Sequence, residues 1–107
     1  MYAVLGAASV SESAEHGPMI GFFPDATFTD QRFDVHSGDR ILLYTDGLIE
    51  ARNGAGEFFD MARTRQLLAG SKSEDARTFG EAALNELARW TGGGFEDDVT
   101  FVVVQVR

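Results

Sequence analysis

The sequence predicts an α+β fold, a mainly antiparallel sheet with two helices packed on one face. Three observations predict it. Residues 41–45 (ILLYT) and 99–106 (VTFVVVQV) are short, apolar and partly or largely β-branched, as strands in a sheet core are. The stretch between them carries apolar residues at three- and four-residue spacing over about 57–69 and about 74–90. Glycine- and acid-rich segments separate these units. Adjacent antiparallel pairing of the two apolar strands, both read as central, with the helices on one face, is the simplest arrangement.

Taken in order, residues 2–10 (YAVLGAASV) read as an opening strand weakened by Gly6. Residues 11–26 hold Gly17-Pro18, Gly21 and Pro24 and read as a loop. Phe28, Phe33 and Val35 stand among polar neighbours and predict a strand over 27–35. His36 to Arg40 (HSGDR) is a turn in which Gly38 supplies a positive φ. The 41–45 run reads as a strand buried on both faces. Asn53-Gly54 and Gly56 mark a flexible connection. In the first helix Phe58, Met61 and Leu68, with Phe59 and Ala62, form the apolar positions, and Gly70 serves as the C′ residue. Ser71 with Glu74, or Ser73 alone, caps the second helix, whose apolar face is Phe79, Ala83, Leu87 and Trp90. The loop 91–98 (TGGGFEDD) is rich in glycine and ends in acid.

A chain of 107 residues, 44% hydrophobic, suits one compact domain or a piece of a larger one. Nine basic against 17 acidic residues give a formal charge of −8, which repels phosphate backbones and argues against nucleic-acid binding. Cysteine is absent, so disulfides, thiol catalysis and thiolate metal sites are excluded. No apolar run approaches the roughly 20 residues that span a bilayer. No charged segment followed by an apolar one reads as a signal peptide. These features lead us to expect a cytoplasmic protein without a membrane segment.

The chemistry concentrates at two acidic junctions. Asp46 follows the 41–45 strand, and Asp97 and Asp98 precede the last strand. If these strands are antiparallel neighbours, the end of one meets the start of the other, and the carboxylates gather there. Carboxylates held close repel unless a cation or proton intervenes. Mg²⁺ and Mn²⁺ take oxygen ligands and keep several waters, so this grouping suits them. Asp-Gly after a strand is also an ordinary turn, and Asp-Asp before one an ordinary solvated loop end. Spacing alone leaves both readings open.

Ser37–Asn53 (SGDRILLYTDGLIEARN) together with Phe95–Val106 (FEDDVTFVVVQV) resembles the C-terminal part of the stage II sporulation protein E-like branch of the PPM (PP2C-type) phosphatases. The earlier GPMIGFF at 17–23 is similar to that family's Gly-Pro-x-x-Gly segment, and the resemblance runs from about Tyr2 to the end. It implies that the chain forms about half of a PP2C-like α-β-β-α sandwich, with a variable, regulatory-type helical segment at about 57–90. It implies Asp46 and Asp97 as ligands of a dinuclear Mn²⁺ or Mg²⁺ centre. It implies Gly47 as the residue that permits the close turn, and Asp98 as a group that orients the loop. The implied reaction is hydrolysis of phosphoserine or phosphothreonine on a protein. The implied substrates are phosphoproteins of bacterial sigma-factor partner switching, such as an anti-sigma-factor antagonist.

The family's catalytic domain is roughly twice this length, within the usual single-domain range. Its first half carries a Gly-Asp motif whose Asp bridges both metals. Upstream of Ile41, none of Glu12, Glu15, Asp25, Asp30, Asp34 or Asp39 stands in such a context. We therefore expect a chain that supplies part of the site, binds divalent metal weakly if at all, and has little or no phosphatase activity alone. The alternative is a non-catalytic interaction or dimerisation module derived from a phosphatase fold. A truncated sheet leaves an open edge, and a homodimer is expected from it. Among other residues, His16 and His36 read as solvated loop histidines. Glu50 is assigned an ion pair with Arg52 or Arg63, and Phe22, Phe23 and Trp90 are assigned to the core.

Overall fold

The computed structural model describes residues 2–5 and 10–13 through their backbone and residues 17–70 and 75–107 in full. Four strands, β1 (Tyr2–Leu5), β2 (Val10–Ser13), β3 (Arg40–Tyr44) and β4 (Phe101–Gln105), form one sheet in the order β2-β1-β3-β4. Every neighbouring pair is antiparallel. Between β3 and β4 the chain builds α1 (Asp46–Ile49), α2 (Asp60–Ala69) and α3 (Ala76–Thr91). The architecture is the predicted α+β one, and the two apolar strands are indeed antiparallel partners, with Arg40 opposite Gln105 and Tyr44 opposite Phe101.

Alternation decides which face is covered. Leu42 and Tyr44 of β3 point to the helices and are buried. They meet Leu68 of α2 and Phe79, Ala83 and Leu87 of α3, with Phe101 and Val103 of β4 packed alongside. On α3 the buried residues recur every four positions and form the predicted apolar face. The Tyr44 hydroxyl donates to Met61 Sδ at 2.9 Å and so keeps a partner inside the core. On the opposite face Leu43, Val102 and Val104 remain 45%, 52% and 40% exposed. The 41–45 run is thus apolar on both faces but covered on one. An all-apolar strand reports what both faces can pack against, not what is present there.

Several local expectations are corrected. The described residues of 27–35 contain no strand, and Phe28, Phe33 and Val35 are exposed. The opening strand stops at Leu5 and a second begins at Val10, which places 10–13 in the sheet instead of a loop. Among the described strands β4 lies at the edge of the sheet, not at its centre. Phe22 and Phe23 pack edge to face on each other, 5.4 Å apart, but stay more than half exposed, outside the core. Gly6, His16 and the Ser71, Ser73 and Glu74 cap lie outside the described residues.

The connection after α1 is a hydrogen-bonded turn. Asn53 Oδ1 accepts from the amides of Ala55 and Glu57, and Arg52 bridges Phe58 in antiparallel fashion. The bridge lies just before α2, which begins at Asp60 after Phe59, itself already right-handed (φ −59°, ψ −40°). Asp60 takes a positive φ of 62° and caps the helix itself, its Oδ1 accepting from the Arg63 amide at 3.0 Å. At the far end Gly70 keeps a right-handed φ of −73°, whereas Gly92 after α3 takes the left-handed conformation and closes that helix. The turn before β3 is as expected, with Gly38 at φ 91°. No described helix is long and apolar enough to cross a membrane.

α3 is capped by Asp75, whose Oδ1 accepts from the Thr78 amide at 2.7 Å. The hydrogen bonds from Thr78 hold the Asp75 carboxyl below its ordinary pKa. A lowered folded-state pKa stabilises the protein above the unfolded carboxylate pKa, and this stabilisation is lost as pH falls through the folded value. Asp75→Ala should therefore lower the melting temperature at neutral pH, and the gap from wild type should close in strong acid. Phe79→Ala, which empties a fully buried site in the same helix, should cost about 3–5 kcal/mol in urea unfolding.

Candidate functional site

The β3–β4 ladder continues one residue past its last strand pair through two threonines. The Thr45 amide donates to the Thr100 carbonyl at 3.1 Å. The Thr45 hydroxyl donates to that carbonyl and accepts from the Thr100 amide, both at 3.3 Å. Thr45 is still extended (φ −92°, ψ 166°), and α1 begins at the next residue, Asp46. The single turn of α1 is closed by the Leu48 amide on the Thr45 carbonyl and the Glu50 amide on the Asp46 carbonyl. On the facing segment the Asp98 amide donates to Asp97 Oδ1 at 2.7 Å, which orients the Asp97 carboxylate. Asp46, Asp97 and Asp98 are all exposed.

Gly47 sets how closely the two segments approach. A Cβ built on it would collide with the Asp98 carbonyl oxygen and lie 3.0 Å from its carbon and 3.5 Å from Val99 Cα. Only a residue without a side chain lets the first turn of α1 rest on the Asp98 backbone. Asp97 and Gly47 share the wall of a cavity of about 250 Å³ with Glu50, Arg52, Phe58 and Phe95. Asp46 is not on that wall. The Arg52 guanidinium lies 4.9 Å over the Phe58 ring, and its Nε is 3.8 Å from the Glu96 carboxylate. Both partners of that ion pair are well exposed, so it contributes little.

Two strand-end carboxylates with open solvent around them match in kind the donors that Mg²⁺ and Mn²⁺ take, one or two carboxylates with water completing the shell. Among the described residues no group of three or more histidine and carboxylate side chains converges as a metal cage. The donor set thus fits a partial site. No cation comes from the cavity wall except Arg52.

The sequence placed Asp46 beside Asp97 and Asp98, with Gly47 giving the backbone room; the structure brings Gly47 against the Asp98 backbone and into one cavity with Asp97, while Asp46 stands outside that wall. Glu50 has a different place from the one expected. It lines the cavity, while Arg52 faces Glu96 and Arg63 pairs with Asp60 at 3.2 Å. His36 is a turn residue whose amide donates to Asp39 Oδ2 at 2.8 Å. Trp90 is half-buried beside the core, and its Nε1–H donates to the Ala51 carbonyl at 3.0 Å, tying the end of α3 to the segment after α1. Sequence reasoning missed the threonine clasp and the place of Arg52 on the cavity wall, naming that residue only as a partner for Glu50. The only signal for the clasp was a threonine beside each acidic motif, Thr45 before Asp46 and Thr100 shortly after Asp98.

The sequence model for stage II sporulation protein E (SpoIIE) matches residues 2–107. Protein IcfG of Synechocystis sp. is 30% identical over 100 residues, covering 88% of this chain and 16% of IcfG. The fold matches the phosphatase domain of the cell fate determinant SpoIIE from Bacillus subtilis. A manganese-presoaked crystal of that domain gives a TM-score of 0.67 at 19% identity, over 98% of this chain and 45% of that one. A crystal form without domain swapping gives 0.65 at 20%, over 97% and 45%. The chain thus spans under half of the phosphatase domain it resembles.

Gly47→Ala forces a methyl group into the Asp98 carbonyl, so the 97–98 segment must move. It should cost about 1–3 kcal/mol in denaturant unfolding, and NMR should show amide shift changes centred on residues 97–100. An alanine variant of wild-type stability with unmoved 97–100 resonances would contradict this account of the junction.

Proposed function

The chain belongs to the SpoIIE family, and from that premise we propose that it contributes Asp46 and Asp97 to a metal-dependent protein serine/threonine phosphatase site. The observation that carries the reading is the Gly47–Asp98 contact, which gathers both acidic motifs at one end of the β3–β4 pair. Under this reading residues 1–107 are the C-terminal portion of a PP2C-like domain, and the segment about 57–90 is its regulatory helical part. The substrate is a phosphorylated protein of bacterial signalling, an anti-sigma-factor antagonist being the kind expected, and the setting is the cytoplasm.

Asp46 and Asp97 would hold Mn²⁺ or Mg²⁺. A bound pair of such ions activates water at neutral pH and neutralises phosphoryl oxygens. The chain's own residues supply the frame. The Thr45–Thr100 clasp fixes the separation of the two motifs. The Asp98 amide holds Asp97 Oδ1 and so fixes the carboxylate on its loop. Gly47 keeps the space between them closed to side chains. The apolar face of Leu43, Val102 and Val104 is the seat for the complementary half of the sandwich, which brings the remaining ligands.

The test is Mn²⁺ titration of the 107-residue chain followed by electron paramagnetic resonance, with turnover of a chromogenic phosphate measured in parallel. Wild type should bind weakly, Asp46→Asn and Asp97→Asn should each weaken binding by about tenfold or more, and turnover should be near background. Identical binding by wild type and both variants would remove the ligand assignment and favour a non-catalytic interaction module. Robust turnover abolished by Asp97→Asn would show that the chain needs no other half.

A further inference from the structure

We infer that Trp90 is a positioning residue for the acidic junction, fixing through its indole N–H the separation of the two segments that carry Asp46 and Asp97. The inference extends the phosphatase reading and draws on it only for the metal. Each segment is a short lead. One runs from Asp46 through the single turn of α1 to Ala51 and Arg52. The other leaves α3 at Thr91 and reaches Asp97 through Gly92 and Gly93, both at positive φ, so it has little stiffness of its own. The leads are tied at both ends. Gly47 rests on the Asp98 carbonyl at one end. At the other the Trp90 Nε1–H donates to the Ala51 carbonyl at 3.0 Å. Between these ties lies the cavity of about 250 Å³, with Gly47, Ala51 and Arg52 from one lead and Thr91, Glu96 and Asp97 from the other. Arg52 and Glu96 also meet, but at 3.8 Å and well exposed they hold the leads weakly.

The indole is itself held in one orientation. Phe59 packs edge to face on it at 6.0 Å, and the Arg63 guanidinium stands 4.2 Å over its ring. Arg63 in turn donates to Asp60 Oδ2 at 3.2 Å. The Ala51 carbonyl also accepts from the Phe59 amide at 2.8 Å, so both of its lone pairs are used, and Ala51 is buried. The Phe59 bond stays within the segment that follows α1, whereas the indole bond comes from α3 and joins the two leads. Trp90 also stands in a partition. Trp90 and Phe59 line a second cavity, about 450 Å³, between α2 and α3, and their chain neighbours Thr91 and Phe58 line the acidic one. A turn of the indole therefore moves a wall common to both. A ring that only filled space would serve as well without its N–H.

The chain has one tryptophan, so a benzothiophene analogue can be placed at position 90 alone, keeping the bicyclic ring and removing the N–H. Trp90→Phe removes the donor and keeps a ring beside Phe59. Amide NMR spectra of the full 107-residue chain, with Mn²⁺ binding followed by electron paramagnetic resonance, test the inference on both. With circular dichroism unchanged, the amides of Arg52 and residues 95–98 should shift, and Mn²⁺ affinity should fall about three- to tenfold, the weight of one hydrogen bond. Shifts confined to residues 51, 59 and 63, which touch the ring, overturn the inference, as does unchanged affinity in a chain that binds Mn²⁺. Shifts at 95–98 in a chain that binds no Mn²⁺ uphold the positioning of the junction and count instead against Asp46 and Asp97 as ligands. The isosteric analogue decides where Trp90→Phe fails to fold.

Discussion

The antiparallel ladder between β3 and β4 is the constraint on which the rest depends. It joins segments far apart in the chain, Arg40 to Gln105 and Tyr44 to Phe101, across an insertion of three helices. Closing so long a loop is entropically costly. The covered face of the ladder repays it, because Leu42, Tyr44, Phe101 and Val103 meet Leu68, Phe79, Ala83 and Leu87 in one core. The same ladder, carried one step further by Thr45 and Thr100, delivers two acidic motifs to one place.

The site is therefore a by-product of strand ends, as ligand sites at strand termini commonly are. Neither motif could hold its geometry alone. The turn of α1 is four residues long, and the 97–98 segment has no regular structure. Each is braced by the other through Gly47 and the Asp98 carbonyl. Trp90 adds a second brace from α3 to the Ala51 carbonyl, and Phe59 packs edge to face on its ring at 6.0 Å. Changes in the helical segment would thus reach the acidic junction through a short, packed path.

The covered and open surfaces divide the molecule's energetics. One sheet face is sealed by helices, while the other presents Leu43, Val102 and Val104, and residues 19–35 add Met19, Ile20, Phe22 and Phe23 to the exposed apolar surface. So much exposed apolar surface is unusual for a chain meant to stand alone. It agrees with a fold that covers 45% of the phosphatase domain it matches.

The sequence by itself determined the α+β class, the pairing of its two apolar strands, the buried face of α3 and the meeting of the Asp46-Gly47 junction with the Asp97-Asp98 one. These follow from periodicity and from glycine and acid at strand ends, which are local signals. Tertiary structure decided what local signals cannot carry. It left 27–35 out of the sheet despite its alternation, since no described strand lies beside those residues to complete a ladder. It set β4 at the edge of the described strands and left one face of β3 open, because burial depends on which neighbours are present and not on how apolar a strand is. It set Arg52 against Glu96 and Phe58, whereas the sequence offered it to Glu50. Pairings between distant segments are set by packing and are invisible in the spacing of the chain.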